Sequence, residues 1–358
     1  MDFILESSSE NEEDEQNRVQ RVRRRRPRTF RPRINFNFIT IFEFNQRFRL
    51  TSLKLEELVN IIGAPLQHET GRNHALSSRQ QIQVALHWFG TGCQYHAIGD
   101  MHGLSKATVH RCIKNVTSAI NRRLTRNIIR WPRNLFSVIR KFHQIAELPM
   151  VIGVVDGILI NIDAPTVDEE GFVDRYGDHS INVMGVCGPD YNFYYINSNW
   201  PGSVHDGRVL RNSGLYRSME AGWRPIANGY IIGDSAYPLK NWLITPVVVY
   251  PNDNAQNAFL IRHRQTRRVI EQAFGILKEK CPCLNRLRVK PFFAANIIRC
   301  CAAICNFSRD LDEDLPINEA NLYAAHRENG ENVNYDNNDD VDVGGRQRLQ
   351  EIINHFRH

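Results

Sequence analysis

The sequence predicts an α/β chain in which an all-α segment precedes a segment built on a mixed sheet. Three observations carry this reading. Apolar residues recur at helical spacing between Phe44 and about Arg130. From Leu148 onward the character changes to short β-branched and aromatic runs bounded by Gly, Pro and Asp. Those runs come first as consecutive strands and then as one strand flanked by helical segments, the order of an α/β domain with a mixed sheet.

The helical part begins with Leu55, Leu58, Val59 and Ile62 at helix spacing, stopped by Gly63 and Pro65. Ser78 and Gln81 form a capping-box pattern ahead of the stripe Ile82, Ala85, Leu86 and Phe89. A short helix follows from about Tyr95, then a turn at His102–Leu104, then a longer helix capped by Ser105. Val109, Ile113, Val116 and Ile120 form its buried stripe, and Lys106, Thr108, His110, Arg111 and Lys114 point away from it. Two helices, a tight Gly-containing turn and a basic second helix are the marks of a helix-turn-helix that reads double-stranded DNA. The alternative is a plain bundle with a solvated basic face.

In the strand part, "MVIGVVDGILINI" reads as one strand, and "HSINVMGVCGPDYNFYYINSNW" as two joined at Gly188, Pro189 and Asp190. A short helical stretch spans Asp206 to Asn212, and a fourth strand in "GYIIGDSAYP" ends at Asp234. A helix from about Arg264 to Lys280 carries the stripe Ile270, Ala273, Phe274 and Leu277.

The chain ends are of a different kind. Arg18–Arg33 holds nine arginines and no acid, after an acidic run at Glu10–Glu15. Such an arm cannot form a core. Its functional readings are phosphate binding and nuclear import. From Asp310 to Asp342 the sign reverses, with eleven acids against one arginine. The closing segment places Leu349, Ile352, Ile353 and Phe356 on one helical face too short to stand alone, so it is expected to dock. The expected organisation is an arm over 1–44, a DNA-binding helical domain over 45–130, a catalytic α/β domain over 148–310, and an acidic tail with a terminal helix over 311–358. At 358 residues, about two domains are expected. No apolar run of about 18 residues and no leader peptide is apparent, so no membrane partner is expected. Cys281, Cys283, Cys300, Cys301 and Cys305 lack the usual zinc spacings and are expected to be core residues.

One feature of the first strand calls for chemistry. Ile152, Val154, Ile158, Ile160 and Ile162 share a face at the strand period, and Asp156 lies among them. A buried unpaired carboxylate costs several kcal/mol, on the order of the desolvation of a charge. Asp234 at a strand end and Glu271 at the edge of a helical stripe supply two more acids on rigid elements. Three such carboxylates suit hard divalent cations, Mg²⁺ or Mn²⁺, and phosphodiester chemistry. Each acid alone could also be a capped structural residue.

These residues resemble a known family. "RFRL", "ALHWFGTG", "GDMHGLSKATVHRCI", "GVVDG", "YGDHSINVMGVC", "NSNWPGSVHDGRVL", "GDSAYPLKNWLITP" and "TRRVIEQAFGILK" occur in order between Arg47 and Lys278. The chain resembles PIF/Harbinger-type transposases and the nucleases derived from them. The resemblance implies an RNase H-like DDE domain after the helix-turn-helix. The family's two aspartates and its glutamate fall on Asp156, Asp234 and Glu271 as metal ligands and catalytic residues. Asp206, also in a family motif, is expected to be an accessory carboxylate. After the first aspartate the family usually has Thr-His, where this chain has Ile158 and Leu159, and the segment after the glutamate helix is altered to "KEKCPCL".

The implied activity is metal-dependent DNA cleavage, with strand transfer in a transposase. Arg264, Arg267, Arg268 and Lys278 are candidate phosphate contacts, a solvated helix face being the alternative. The resemblance further implies a Myb-like accessory protein and a homo-oligomer on DNA, and a nuclear location fits the basic arm. The competing expectation is a domesticated DNA-binding scaffold that does not cleave.

Overall fold

The computed structural model describes residues 30–34, 36, 39–70, 74–247, 253–309 and 342–357. Most of the arginine-rich arm and the acidic stretch 310–341 lie outside the described residues.

Seven helices precede the first strand among the described residues: α1 (Ile41–Phe48), α2 (Ser52–Ile62), α3 (Ser78–Phe89), α4 (Tyr95–His102), α5 (Lys106–Arg123), α6 (Thr125–Ile128) and α7 (Leu135–Ala146). Their starts follow from hydroxyl caps. Thr51 Oγ1 accepts from Lys54 N at α2, and Ser105 Oγ from Thr108 N at α5. The capping box of α3 is Ser77 with Gln80, one residue earlier than the sequence pattern suggested. Ser78 and Gln81 are used otherwise: Ser78 donates to Gly63 O, and the buried Gln81 amide donates to Leu66 O and Leu76 O. Gly103 ends α4 in the left-handed conformation (φ 65°), where a Cβ would run into Pro32 O. The chain entering from the arm is thereby laid against the α4–α5 turn, where Arg33 donates to Gly103 O.

The second half contains β1 (Val151–Asn161), β2 (Ser180–Cys187), β3 (Phe193–Pro201), α8 (Asp206–Arg211), α9 (Gly214–Glu220), β4 (Tyr230–Ile232), β5 (Leu243–Ile244), α10 (Asn254–Lys280), α11 (Pro291–Arg309) and α12 (Val343–Asn354). The sheet order is β3-β2-β1-β4-β5, with β1–β2 and β2–β3 antiparallel and β1–β4 and β4–β5 parallel. The sheet is therefore mixed, as the order of elements predicted.

Apolar layers cover both faces. α8 and α9 close one face through Val209, Leu210, Leu215 and Met219 against Val155, Met184 and Val186. The larger cluster on the other face joins α7, α10 and α11 to the sheet and runs on into the N-terminal helices. Of the residues expected to share a face with Asp156, Val154, Ile158, Ile160 and Ile162 belong to this larger cluster. Ile152 packs on the opposite side, because the β1 register shifts between Val151 and Gly153.

Helix α10 starts ten residues before the expected Arg264. Its first turns bury polar Gln256 and His263 beside Ala255 and Phe259, which hides the apolar stripe in the sequence. By length and composition alone α11 could span a membrane, but Asn296, Arg299 and Asn306 interrupt its apolar run and about two thirds of it is buried. It packs between β3 and α5. It also buries Cys300, Cys301 and Cys305, which are free thiols of the core together with Cys281 and Cys283, as expected. The terminal helix α12 docks as expected, burying Leu349, Ile352 and Ile353 against β5 and α10.

Candidate active site

The backbone register brings the acids together. The parallel ladder between β1 and β4 ends at the pair Val154–Ile232. Asp156 and Asp234 each lie two residues beyond it. The sheet thus sets the two carboxylates side by side where the parallel pairing opens, the usual place for sites in sheets of this kind.

Across β2, Asp156 pairs with Gly185, whose missing Cβ leaves room for the Phe274 ring; a Cβ there would meet it at 2.9 Å. That close seat lowers α10 onto the sheet, and the helix carries Glu271 one turn earlier and Arg267 two turns earlier. From the other face, Asp206 at the start of α8 lies against Gly157, where a Cβ would stand 2.4 Å from Asp206 Oδ1. Asn182 Nδ2 on β2 fixes the same oxygen at 2.7 Å.

Asp156 is buried, and Asp206, Asp234 and Glu271 are partly so; among them Asp156 feels Asp234 and Asp206, and Asp234 feels Asp206. Burial, then the charge of Asp234, push the Asp156 carboxyl well above its ordinary range, while Arg267 and the Gly157 N–H oppose the rise. Burial and Asp206 raise Asp234 to about 6, again against Arg267. Asp206 is raised by burial and held back by Asn182, Arg175 and His205. Arg267 sits among the acids. Its Nη2 lies 2.8 Å from Glu271 Oε1, and its Nη1 lies 3.7 Å from Asp156 Oδ2 and 3.9 Å from Asp234 Oδ2.

As placed, no group of three or more acidic, His or Cys side chains among the described residues is close enough to cage a metal ion. The donor chemistry nonetheless fits a hard divalent cation. The oxygens of Asp156 and Asp234 are carboxylate, their pKa values raised by burial and then by a neighbouring acid, and they face one organic cation that holds the place of positive charge.

The remaining candidates fall into two places. Arg264 and Arg268 are exposed on the outer side of α10, whereas Arg267 is turned onto the carboxylates with 15% of its side chain exposed. On α5, Lys106, His110, Arg111 and Lys114 are exposed. Thr108 is half-buried, its hydroxyl spent on Ser105 and on Arg111. These residues stand on a helix separated from the sheet by α11, not beside the acids.

A cavity of about 540 Å³ adjoins the acids, running along β1 from Gly157 to Asn161. Arg175, Tyr176 and Asn182 line it, and sequence reading singled out none of them; Lys278, a candidate phosphate contact, also lines it. The signal available was "VDRYGDHS", a charged and aromatic loop between two strands.

Comparison with known proteins is consistent with this arrangement. The family described as DDE superfamily endonuclease matches residues 155–306, a span holding all four acids. "Putative nuclease HARBI1" of Homo sapiens is 34% identical over 265 residues, covering 72% of this chain and 75% of that protein. The Xenopus laevis protein of the same name is 31% identical over 268 residues, covering 73% and 76%. "Protein ALP1-like" of Arabidopsis thaliana is 27% identical over 303 residues, covering 79% and 74%. No solved structure matches the chain.

Proposed function

This chain belongs to the DDE superfamily of endonucleases and is homologous to the Harbinger transposase-derived nucleases, and from that premise we propose that it is a metal-dependent endonuclease of double-stranded DNA. The observation that carries the proposal is the register of β1 against β4, which aligns Asp156 with Asp234, together with Arg267, which links both to Glu271 on α10.

In this reading Asp156, Asp234 and Glu271 would hold the divalent ions, Mg²⁺ or Mn²⁺, with Asp206 as an accessory carboxylate. Bound there, the ions supply Lewis-acid activation of the phosphodiester and of the attacking oxygen. The protein's own work is positional. Gly157 and Asn182 fix Asp206, Gly185 seats α10, and the apolar layers around β1 keep the acids in a poorly solvated setting where charge acts strongly. Arg267 supplies the positive charge that compensates Asp156, Asp234 and Glu271. The exposed basic residues of α5 serve as the DNA-reading helix of a helix-turn-helix, with Arg264 and Arg268 as phosphate contacts nearer the acids. On this reading a nuclear location is expected, in keeping with the arginine-rich arm at Arg18–Arg33. Strand transfer by the freed 3′-hydroxyl at the same acids is the added step of a transposase.

The test is nicking of duplex DNA by the purified protein with Mg²⁺ or Mn²⁺, beside Asp156→Ala, Asp234→Ala and Glu271→Ala, with DNA binding followed in the same samples. Cleavage by the wild type that every variant loses while still binding DNA is the expected result. A second reading, a DNA-binding scaffold that no longer cleaves, is favoured by Ile158 and Leu159 beside the first aspartate and by the guanidinium among the acids. Binding without nicking, under every metal tried, would establish it.

A further inference from the structure

The cavity beside the acids has a composition that the cleavage chemistry does not call for. Its volume of about 540 Å³ lies within the roughly 300–1,000 Å³ of small-molecule sites. Ile158 and Leu159 give it an apolar stretch along β1. Opposite them stands the loop 174–178. That loop is braced from beneath: the buried Asp174 carboxylate accepts from Tyr176 N, Asp178 N and the Ser180 hydroxyl. The brace holds up two large side chains. The Tyr176 ring is 53% exposed, and the Arg175 guanidinium lies 5.0 Å from its centroid.

Arg175 reaches further still. It lines the cavity together with Asp206, and its charge opposes the burial that raises the carboxyls of Asp206 and Asp234. Lys278 on α10 adds a second cation to the lining. Asn182, 4% exposed, supplies an acceptor: its Oδ1 is buried and has no hydrogen-bond partner among the described residues, while its Nδ2 is held by Val204 O and Asp206. An unpaired buried acceptor of this kind is costly until something donates to it.

An aromatic face, flanking cations, an apolar wall and an unmet amide acceptor are what a single nucleotide asks for: a platform for the base, neutralisation for its phosphates, and a hydrogen bond to its edge. A base inside a duplex is already stacked and cannot enter a concavity of this size. It must leave the stack. We propose that this cavity receives one unpaired nucleotide of the DNA strand next to the phosphodiester under attack, stacked on Tyr176, with Arg175 and Lys278 on its phosphates and Asn182 on its base. The proposal rests on the nuclease reading, because it takes the acids as the place of the scissile bond.

The test uses the full chain without divalent metal, so that binding is read apart from cleavage. Two duplexes are compared, one fully paired and one identical but with a single unpaired 2-aminopurine nucleotide, whose fluorescence responds to stacking. The wild type binds the second duplex roughly ten-fold or more tightly, with a change in fluorescence. Tyr176→Ala and Arg175→Ala lose the preference and the fluorescence change yet bind the paired duplex as the wild type does. Tyr176→Phe retains both, and Lys114→Ala on α5 weakens both duplexes alike. Equal wild-type affinity for the two duplexes, or a preference that survives Tyr176→Ala, overturns the proposal. Nicking assays on the same proteins separate the two ideas. Metal-dependent nicking without the preference leaves the nuclease and removes the pocket. A Tyr176-dependent preference without nicking leaves the pocket and removes the nuclease.

Discussion

Arg267 donates to Glu271 at 2.8 Å, one turn apart on α10, and the same guanidinium faces Asp156 and Asp234 at 3.7 and 3.9 Å. One cation therefore serves three acids contributed by β1, the end of β4 and α10. Removing it leaves the carboxylates uncompensated in a site that is mostly shielded from water.

Arg267→Gln is expected to destabilise the metal-free protein by on the order of 3 kcal/mol, as when one partner of a buried ion pair is removed. Because the guanidinium no longer competes for the acids, added Mg²⁺ should raise the melting temperature of the variant more than that of the wild type. Thermal denaturation with and without Mg²⁺ checks this. Equal rises would mean that Arg267 and the ion do not share the site.

Gly157 and Asp206 form a second tight relationship, since a Cβ on the glycine would stand 2.4 Å from the carboxylate. Gly157→Ala should cost about 1–3 kcal/mol by overpacking and displace Asp206. In the double variant Gly157→Ala/Asp206→Ala the clash is gone, so the two costs should fall short of additivity by about 1 kcal/mol or more. Urea denaturation of the four proteins measures the coupling, and strict additivity would contradict the geometry.

The N-terminal helices carry an acid-sensitive pair. His87 Nδ1 and His102 Nε2 lie 2.9 Å apart and buried. Burial, then Arg47, lower His87 to about 4; burial, His87 and Arg47 lower His102 to about 3. Both rings stay neutral in the fold while the unfolded chain takes up protons below about 6.5. Their contribution is therefore intact above that pH and is lost as the pH falls from about 6.5 toward 4, by up to roughly 3 kcal/mol for each ring. The urea midpoint of the wild type should drop across this window more steeply than that of His87→Gln/His102→Gln. Parallel curves would assign the acid sensitivity to other groups.

The terminal helix offers a test of docking. Ile353 is fully buried, so Ile353→Ala should cost about 2–5 kcal/mol despite lying five residues from the chain end. Arg348 also ties α12 to Asn228 O. A loss below about 0.5 kcal/mol would mean that α12 leaves the body in solution.

The parts of this architecture that were legible in the sequence are those with local causes. β1, β2 and β3 could be read from β-branched runs and the turn at Gly188–Asp190, and α5 from the Ser105 cap and its stripe. Asp156 stands out because a carboxylate inside an apolar strand is costly, whereas Asp234 and Glu271 join it as a set only through the family resemblance. What could not be read is set by long-range packing. The shift at Val151–Gly153 that moves Ile152 to the other face depends on β4. The first turns of α10 bury polar side chains and so lack a stripe. Arg267 was indistinguishable from Arg264 and Arg268 until the helix was seated by Phe274 on Gly185. The cavity around Tyr176 has no linear signature, since its walls come from segments more than a hundred residues apart.

The strand order also dictates a timetable. Ribosomal synthesis delivers the N-terminal helices first, then β1 with Asp156, and β4 can take its place beside β1 only after β2, β3, α8 and α9 have been made. Glu271 emerges later still, on the helix that must settle across the finished sheet. The helices proposed to read DNA are thus synthesised long before the acid cluster can close, although α5 still awaits α11 for part of its packing. On the proposed reading, a chain halted between α9 and Glu271 carries the DNA-reading segment without the full acid set, so premature termination removes cutting before it removes the residues meant to contact DNA.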